Sequence, residues 1–142
     1  MKTQPYRVRR PFTLMEMLVV VGIIMLIAAI AMPAYFKIQD NASKGAARAQ
    51  IKSFETAIAA FRLDLGRFPR SLDELVTNTG DKRWNGPYLG NTNFIPKDPW
   101  GNAYVYQQPG SGDRPFEIIS YGSDGAPGGS GSGMDISNYL EE

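Results

Sequence analysis

The chain has 142 residues, a formal net charge of +1, no cysteine and no histidine. That length suits one domain. The missing cysteines exclude a disulfide staple and leave the compartment unread, and the missing histidines exclude His-based acid–base catalysis and His-ligated zinc. The charge is uneven: Lys2, Arg7, Arg9 and Arg10 stand in residues 1–11 without an acid, and removing these four takes the formal charge from +1 to −3. A mildly acidic remainder gives no support to nucleic-acid binding.

Residues 1–11, MKTQPYRVRRP, read as a leader and stay outside the fold reasoning. A basic segment ahead of an apolar run stays cytoplasmic and sends the rest of the chain across the membrane. On charge alone the cytoplasmic tail of a single-span protein is the lesser alternative. The segment also fits the n-region of a secretory signal with Ala29-Ile30-Ala31 as the A-x-A site. Glu16 argues against the signal, because a discarded segment has no use for a costly charge.

Residues 12–33 are predicted to form a transmembrane and assembly helix. The apolar run, broken by Thr13 and Glu16, has the length a helix needs to cross a bilayer core of about 30 Å. A mid-helix carboxylate is unfavourable by roughly 2.5–3.5 kcal/mol on insertion scales, and by less near an end. Glu16 is therefore expected to have a partner. Pro33 is expected to kink the helix or melt a turn near Ala29–Pro33 rather than end it, because helical patterning resumes beyond it.

Residues 34–65 continue as an amphipathic helix. Ile51, Phe54, Ile58, Phe61 and Leu65 recur at spacings of three and four and share one face, which is predicted to dock on the globular part, residues 66–142. The Ala-rich stretch from Lys37 to Ala49 fits close helix–helix approach and a solvated helix equally well. Gly66 and Pro69 supply the stop. If continuous, 12–65 would extend about 80 Å at 1.5 Å per residue.

Ser71-Leu72-Asp73-Glu74 fits a capping box opening a short helix through about Val76. Residues 77–100 are mostly loop by their Gly and Pro content. Their rings Trp84, Tyr88, Phe94 and Trp100 are expected to pack over a small sheet rather than bind a ligand. Ala103–Gln108 and Phe116–Tyr121 read as two antiparallel strands joined by the turn Pro109–Asp113. The fold class is thus α+β. Residues 122–133, GSDGAPGGSGSG, read as a flexible linker by composition. Their flanks, Asp124 and Asp135, instead allow carboxylates and backbone carbonyls to converge on a hard cation, and calcium suits such irregular geometry better than magnesium.

Several segments together resemble a family. Phe12-Thr13-Leu14-Met15-Glu16 behind a short basic leader is similar to the processing site of type IV pilins and pseudopilins. Trp84-Asn85-Gly86-Pro87-Tyr88-Leu89, then Pro96-Lys97-Asp98-Pro99-Trp100-Gly101-Asn102-Ala103-Tyr104, then Ser120-Tyr121-Gly122-Ser123-Asp124-Gly125 and Asp135-Ile136, resemble the major pseudopilin, the G subunit, of type II secretion systems. The first motif marks the broad superfamily; the later blocks, in order, are far more specific.

The resemblance implies that a prepilin peptidase cuts between Pro11 and Phe12 and methylates the new amine. Glu16 then pairs with the amino terminus of a neighbouring copy during assembly. It implies a single-pass protein of the bacterial inner membrane with its C-terminal domain in the periplasm. There it polymerises into a helical filament that promotes export of folded proteins. Its partners would be further copies, minor pseudopilins, and an inner-membrane platform with its ATPase. The protein itself would be no enzyme. A calcium ion (Ca2+) would be held by the carboxylates of Asp124 and Asp135, an oxygen of Ser132 and the carbonyl of Tyr121. The chain departs from the pattern twice, with Pro11 where the family has glycine and Met134 where it has an acid. The rival functions are a major pilin of a type IV pilus and a secreted binding domain with a cleaved signal peptide.

Overall fold

The computed structural model describes residues 12–90 and 92–139. The leader, with Pro11, lies outside them. In chain order the elements are a long helix α1 (Leu14–Leu65), a 3-10 turn (Leu72–Leu75), strands β1 (Val105–Gln107) and β2 (Glu117–Ser120), a second 3-10 turn (Gly131–Gly133) and strand β3 (Ile136–Ser137). The chain divides into two compact units, the first running through Ile38 and the second beginning at Gln39.

In the first unit α1 is apolar all round. Its large side chains are exposed from end to end, Leu14 by 82% and Ile30 by 73% among them. Among the described residues α1 is the one helix long and apolar enough to cross a membrane. It runs through Pro33 without a break, so the melted turn expected near Ala29–Pro33 is absent. Proline removes one helical hydrogen bond and crowds the turn before it.

In the second unit the apolar stripe of α1 is the core. Phe54, Phe61 and Ile58 are sealed from solvent, as are Ile51 and Leu65 at the ends of the stripe, and Ala47 extends it by a turn. Rings close over it edge-on, Tyr104 on Phe54 with centroids 5.1 Å apart and Tyr88 on Phe61 at 5.5 Å. Ile118 and Ile136 complete the cluster from the sheet. The sheet is antiparallel in the order β1-β2-β3, with Val105 opposite Ile119 and Ser120 opposite Ile136. The two strands read from the sequence are present but shorter. The third, β3, has two residues, too few to show an alternating pattern.

Three of the four loop rings reach the core, but Tyr88 lies on Phe61 of α1 and Trp84 on Tyr88 rather than over the sheet. Trp84, Tyr88 and Trp100 pack against the core, whereas Phe94 stays 66% exposed. The aromatic loop is tied down by Trp84, whose indole N–H donates to the carbonyl of Glu74 (2.9 Å), and by the Tyr88 N–H, which donates to the carbonyl of Leu75 (2.7 Å).

The capping box expected at Ser71 does not form. Ser71 precedes a four-residue 3-10 turn and its side chain makes no capping bond. Glu74 is engaged elsewhere: its Oε2 accepts from Arg67 Nη1 at 2.7 Å and from the Arg70 N–H at 3.1 Å. A guanidinium is a charged donor and outcompetes a neutral amide for a carboxylate. Burial disfavours the Glu74 carboxylate, but the bonds from Arg67 and Arg70 and their charges outweigh it, leaving its pKa below the ordinary value. A depressed pKa in the folded state adds stability that is complete above the ordinary value and drains away as pH falls through the depressed one. Glu74→Gln should therefore lower Tm at neutral pH by the equivalent of about 1–3 kcal/mol. It should also flatten the Tm decline expected of the wild type as pH falls through the depressed value. Thermal melts from pH 7 to pH 3 check both.

Candidate assembly tip and cation loop

The tip of α1 is closed by a reciprocal pair. Glu16 Oε2 accepts from the backbone N–H of Thr13 at 2.9 Å and from its hydroxyl at 3.1 Å, and Thr13 Oγ1 accepts from the Glu16 N–H at 3.2 Å. Thr13 is the N-cap and Glu16 the N3 residue of a capping box. Two amides that an apolar helix would otherwise leave bare are satisfied inside the chain. The pattern [ST]-x-x-E ahead of an apolar run was legible in Thr13-Leu14-Met15-Glu16 and was missed there. Glu16 thus has a partner within its own chain. None of these bonds uses Oε1. Around the carboxylate lies an apolar groove of about 410 Å³ formed by Phe12, Met15, Val19 and Val20. Phe12 is 76% exposed at its edge.

The second site is the glycine-rich loop after β2. Asp124 accepts from the Ala126 N–H through Oδ1. Its Oδ2 occupies the space a side chain at Gly133 would need, 2.7 Å from an ideal Cβ. Asp135 accepts from the Gly128 N–H through Oδ2 at 2.8 Å, while its Oδ1 is buried and has no hydrogen-bond partner. Ser132 is engaged twice by Ser123, hydroxyl to hydroxyl at 3.1 Å and through its carbonyl to the Ser123 N–H at 3.0 Å. Tyr121 is half-buried, directly after β2. The next residue, Gly122, has φ +65°, and an ideal Cβ there would lie 2.6 Å from the Ser132 carbonyl oxygen. Only glycine permits both that conformation and that approach.

The structure brings together the loop's two ends at Tyr121–Asp124 and Ser132–Asp135. Among the described residues no three acidic side chains cluster. A cation here would take two carboxylates and otherwise carbonyl, hydroxyl or water oxygens, which is within calcium's habit of six to eight oxygen ligands. A bare buried carboxylate oxygen is uncommon in folded proteins. The orphaned Oδ1 of Asp135 is the feature that fits a cation.

A residue outside the expected ligand set holds the loop in place. Buried Asp98 accepts from the N–H groups of Trp100 (3.1 Å) and Asn102 (2.7 Å) and from the Ser120 hydroxyl (2.7 Å). That turn aims Asn102 Nδ2 at the carbonyl of buried Gly122, to which it donates at 2.8 Å. Asn102 was legible as part of a motif, but its role was not, because the bond spans twenty residues.

The residues 34–139 match the family model "Type II secretion system (T2SS), protein G". The type II secretion system core protein G of Pseudomonas aeruginosa is 37% identical over 135 residues, covering 90% of this chain and 93% of that relative. The core protein G of Vibrio cholerae is 35% identical over 132 residues, with 90% of each chain covered. Among solved structures, the major pseudopilin of the type 2 secretion system of enterohaemorrhagic Escherichia coli superposes with a TM-score of 0.53 at 29% identity, covering 70% of this chain and 89% of that one.

Asn102→Ala isolates the contact between the Asp98 turn and the loop. It leaves the Gly122 carbonyl buried without a donor and should destabilise the protein by about 1–3 kcal/mol. Tm should fall by roughly 4–8 °C per kcal/mol for a domain of this size, read by calorimetry.

Proposed function

This chain belongs to the type II secretion system protein G family, and on that premise we propose how its parts divide the work. It is a structural subunit of the pseudopilus in type II secretion. The observation that carries the rest is the bare apolar surface of α1 through Ile38. None of the described residues of its own unit covers it, so lipid must cover it before assembly and other copies afterwards.

A dedicated peptidase cuts before Phe12 and methylates the new amine. Pro11 stands on the leader side of that bond, a residue with fixed φ and no N–H. The mature chain waits in the inner membrane with its second unit in the periplasm. It then polymerises there with further copies and minor pseudopilins, driven by the platform and its ATPase. It has no catalytic role of its own; the pilus and secreted-domain readings give way to the family match.

In the filament the capping bonds keep Glu16 Oε2 on Thr13, and Oε1 faces the methylated amine of a neighbour. Two unit charges 4 Å apart attract by about 4 kcal/mol at an effective dielectric of 20. Desolvation of both ions offsets much of that. The pair therefore sets register between copies, and the apolar collar of Phe12, Met15, Val19 and Val20 supplies the adhesion. Glutamine also serves at N3 of a capping box. Glu16→Gln should therefore insert and stay helical yet fail to sediment as filaments. Filaments of the variant at wild-type yield would reduce Glu16 to a helix cap.

Asp124 and Asp135 would hold calcium through their carboxylates, with oxygens of Tyr121 and Ser132 contributing to the shell. Bound there, it would neutralise both acids and tie the two ends of the loop together. With Met134 in place of a second acid, the site carries less negative charge than the family pattern. A chelator should lower Tm, by the equivalent of about 2.7 kcal/mol if calcium had stood at a hundredfold its Kd. Asp124→Ala should lower Tm and remove its dependence on calcium. A wild-type melting curve that ignores the chelator overturns the metal assignment.

A further inference from the structure

Within the second unit a cleft of about 580 Å³ opens along α1. Ile58, Phe68 and Phe116 form its floor and Leu63 its wall, with Glu55 and Arg62 seven residues apart on the helix that borders it. Leu63 is 86% exposed. Among the described residues of this unit, the other strongly exposed large apolar side chain is Phe94, at 66%, on a loop that does not line the cleft. One chain thus carries an apolar knob and, elsewhere, an apolar cleft.

We propose that Phe94 of one copy seats in this cleft of the next copy, with its Lys97 meeting Glu55. The proposal rests on the filament reading above and names the surface that continues it between periplasmic units. A knob and a cleft at different places on one chain make a heterologous contact, and heterologous contacts generate open helical arrays rather than closed dimers.

Charge and spacing fix the direction. Pro96 holds Ile95 extended, so Phe94 and Lys97 are separated by about 10 Å of chain. Glu55 and Arg62 are separated by about 10.5 Å along the helix. With Phe94 level with Arg62 and Leu63, Lys97 falls level with Glu55. The reverse direction would set Lys97 against Arg62, which is held with its guanidinium 4.6 Å from the Phe68 ring centroid. Lys97 is exposed and has no ion pair among the described residues. Glu55 Oε2 is bridged at 2.9 Å by Lys52, a side chain 79% exposed and easily displaced, while Oε1 accepts from Asn138 Nδ2 at 3.2 Å.

The chain has no cysteine, so introduced pairs report without background. The experiment uses the full chain in membranes of cells carrying the whole secretion machinery. Asn93→Cys together with Leu63→Cys leaves Phe94 intact and, under mild oxidation, should give a ladder of disulfide-linked dimers, trimers and longer species. Neither single variant should give a ladder. Adding Phe94→Asp should abolish it. Lys97→Glu should weaken it roughly fivefold, the scale of one exposed ion pair, and Glu55→Lys should restore it. Filaments that sediment but show no ladder, or a ladder indifferent to Phe94→Asp, overturn the proposal and leave the filament reading standing. Capture of a different protein by Leu63→Cys alone overturns it in favour of another occupant. If the wild type itself never sediments as filaments, the filament reading fails and takes this contact with it.

Discussion

Everything in this protein follows from an apolar helix surface that the described residues of its own unit leave exposed. In a soluble domain such a surface is buried, because removing apolar area from water is the main favourable term in folding. Here α1 has two regimes. Through Ile38 it is apolar around its whole circumference and exposed. Beyond that it is apolar on one face, and that face is the core of the second unit. A helix that is hydrophobic all round needs a protein interior or a membrane, and one that is hydrophobic on a single stripe needs a packed partner. One continuous element meets both demands, so the exposed apolar segment and the segment that forms the core of the second unit belong to a single helix.

The globular part is small, and its irregular stretches are held by hydrogen bonds more than by sheet. The strands have three, four and two residues. In their place, buried carboxylates act as hubs. Glu74 gathers Arg67 and Arg70, and Asp98 gathers Trp100, Asn102 and Ser120. Each hub converts a loop into a fixed surface without disulfides. The Asp98 hub reaches the glycine-rich loop through Asn102, so the loop's position depends on residues twenty positions upstream.

Periodic features were legible in the sequence and contact-dependent ones were not. The spacing of Ile51, Phe54, Ile58, Phe61 and Leu65 already named the buried face, because a helix places such residues on one side whatever lies opposite. The two longer strands were legible from alternation; β3 was not, since two residues carry no period. The capping box was read at Ser71 and found at Thr13, although both stretches carry the same pattern. What separates them is Arg67, a competitor for Glu74 that local spacing does not reveal. Phe94 looked like its ring-bearing neighbours in composition, and only its place on the loop distinguishes it. In the cation loop, Asp124 and Asp135 were visible as flanking acids. The unpartnered oxygen on Asp135 became visible only once the chain was folded around it.

The Thr13–Glu16 cap has a last consequence. Because it is made within one chain, the end of the helix is finished before any neighbour arrives. Joining the pseudopilus would demand no rearrangement of that cap. A structural subunit of the pseudopilus therefore brings a ready-made cap with it rather than borrowing one from its neighbour.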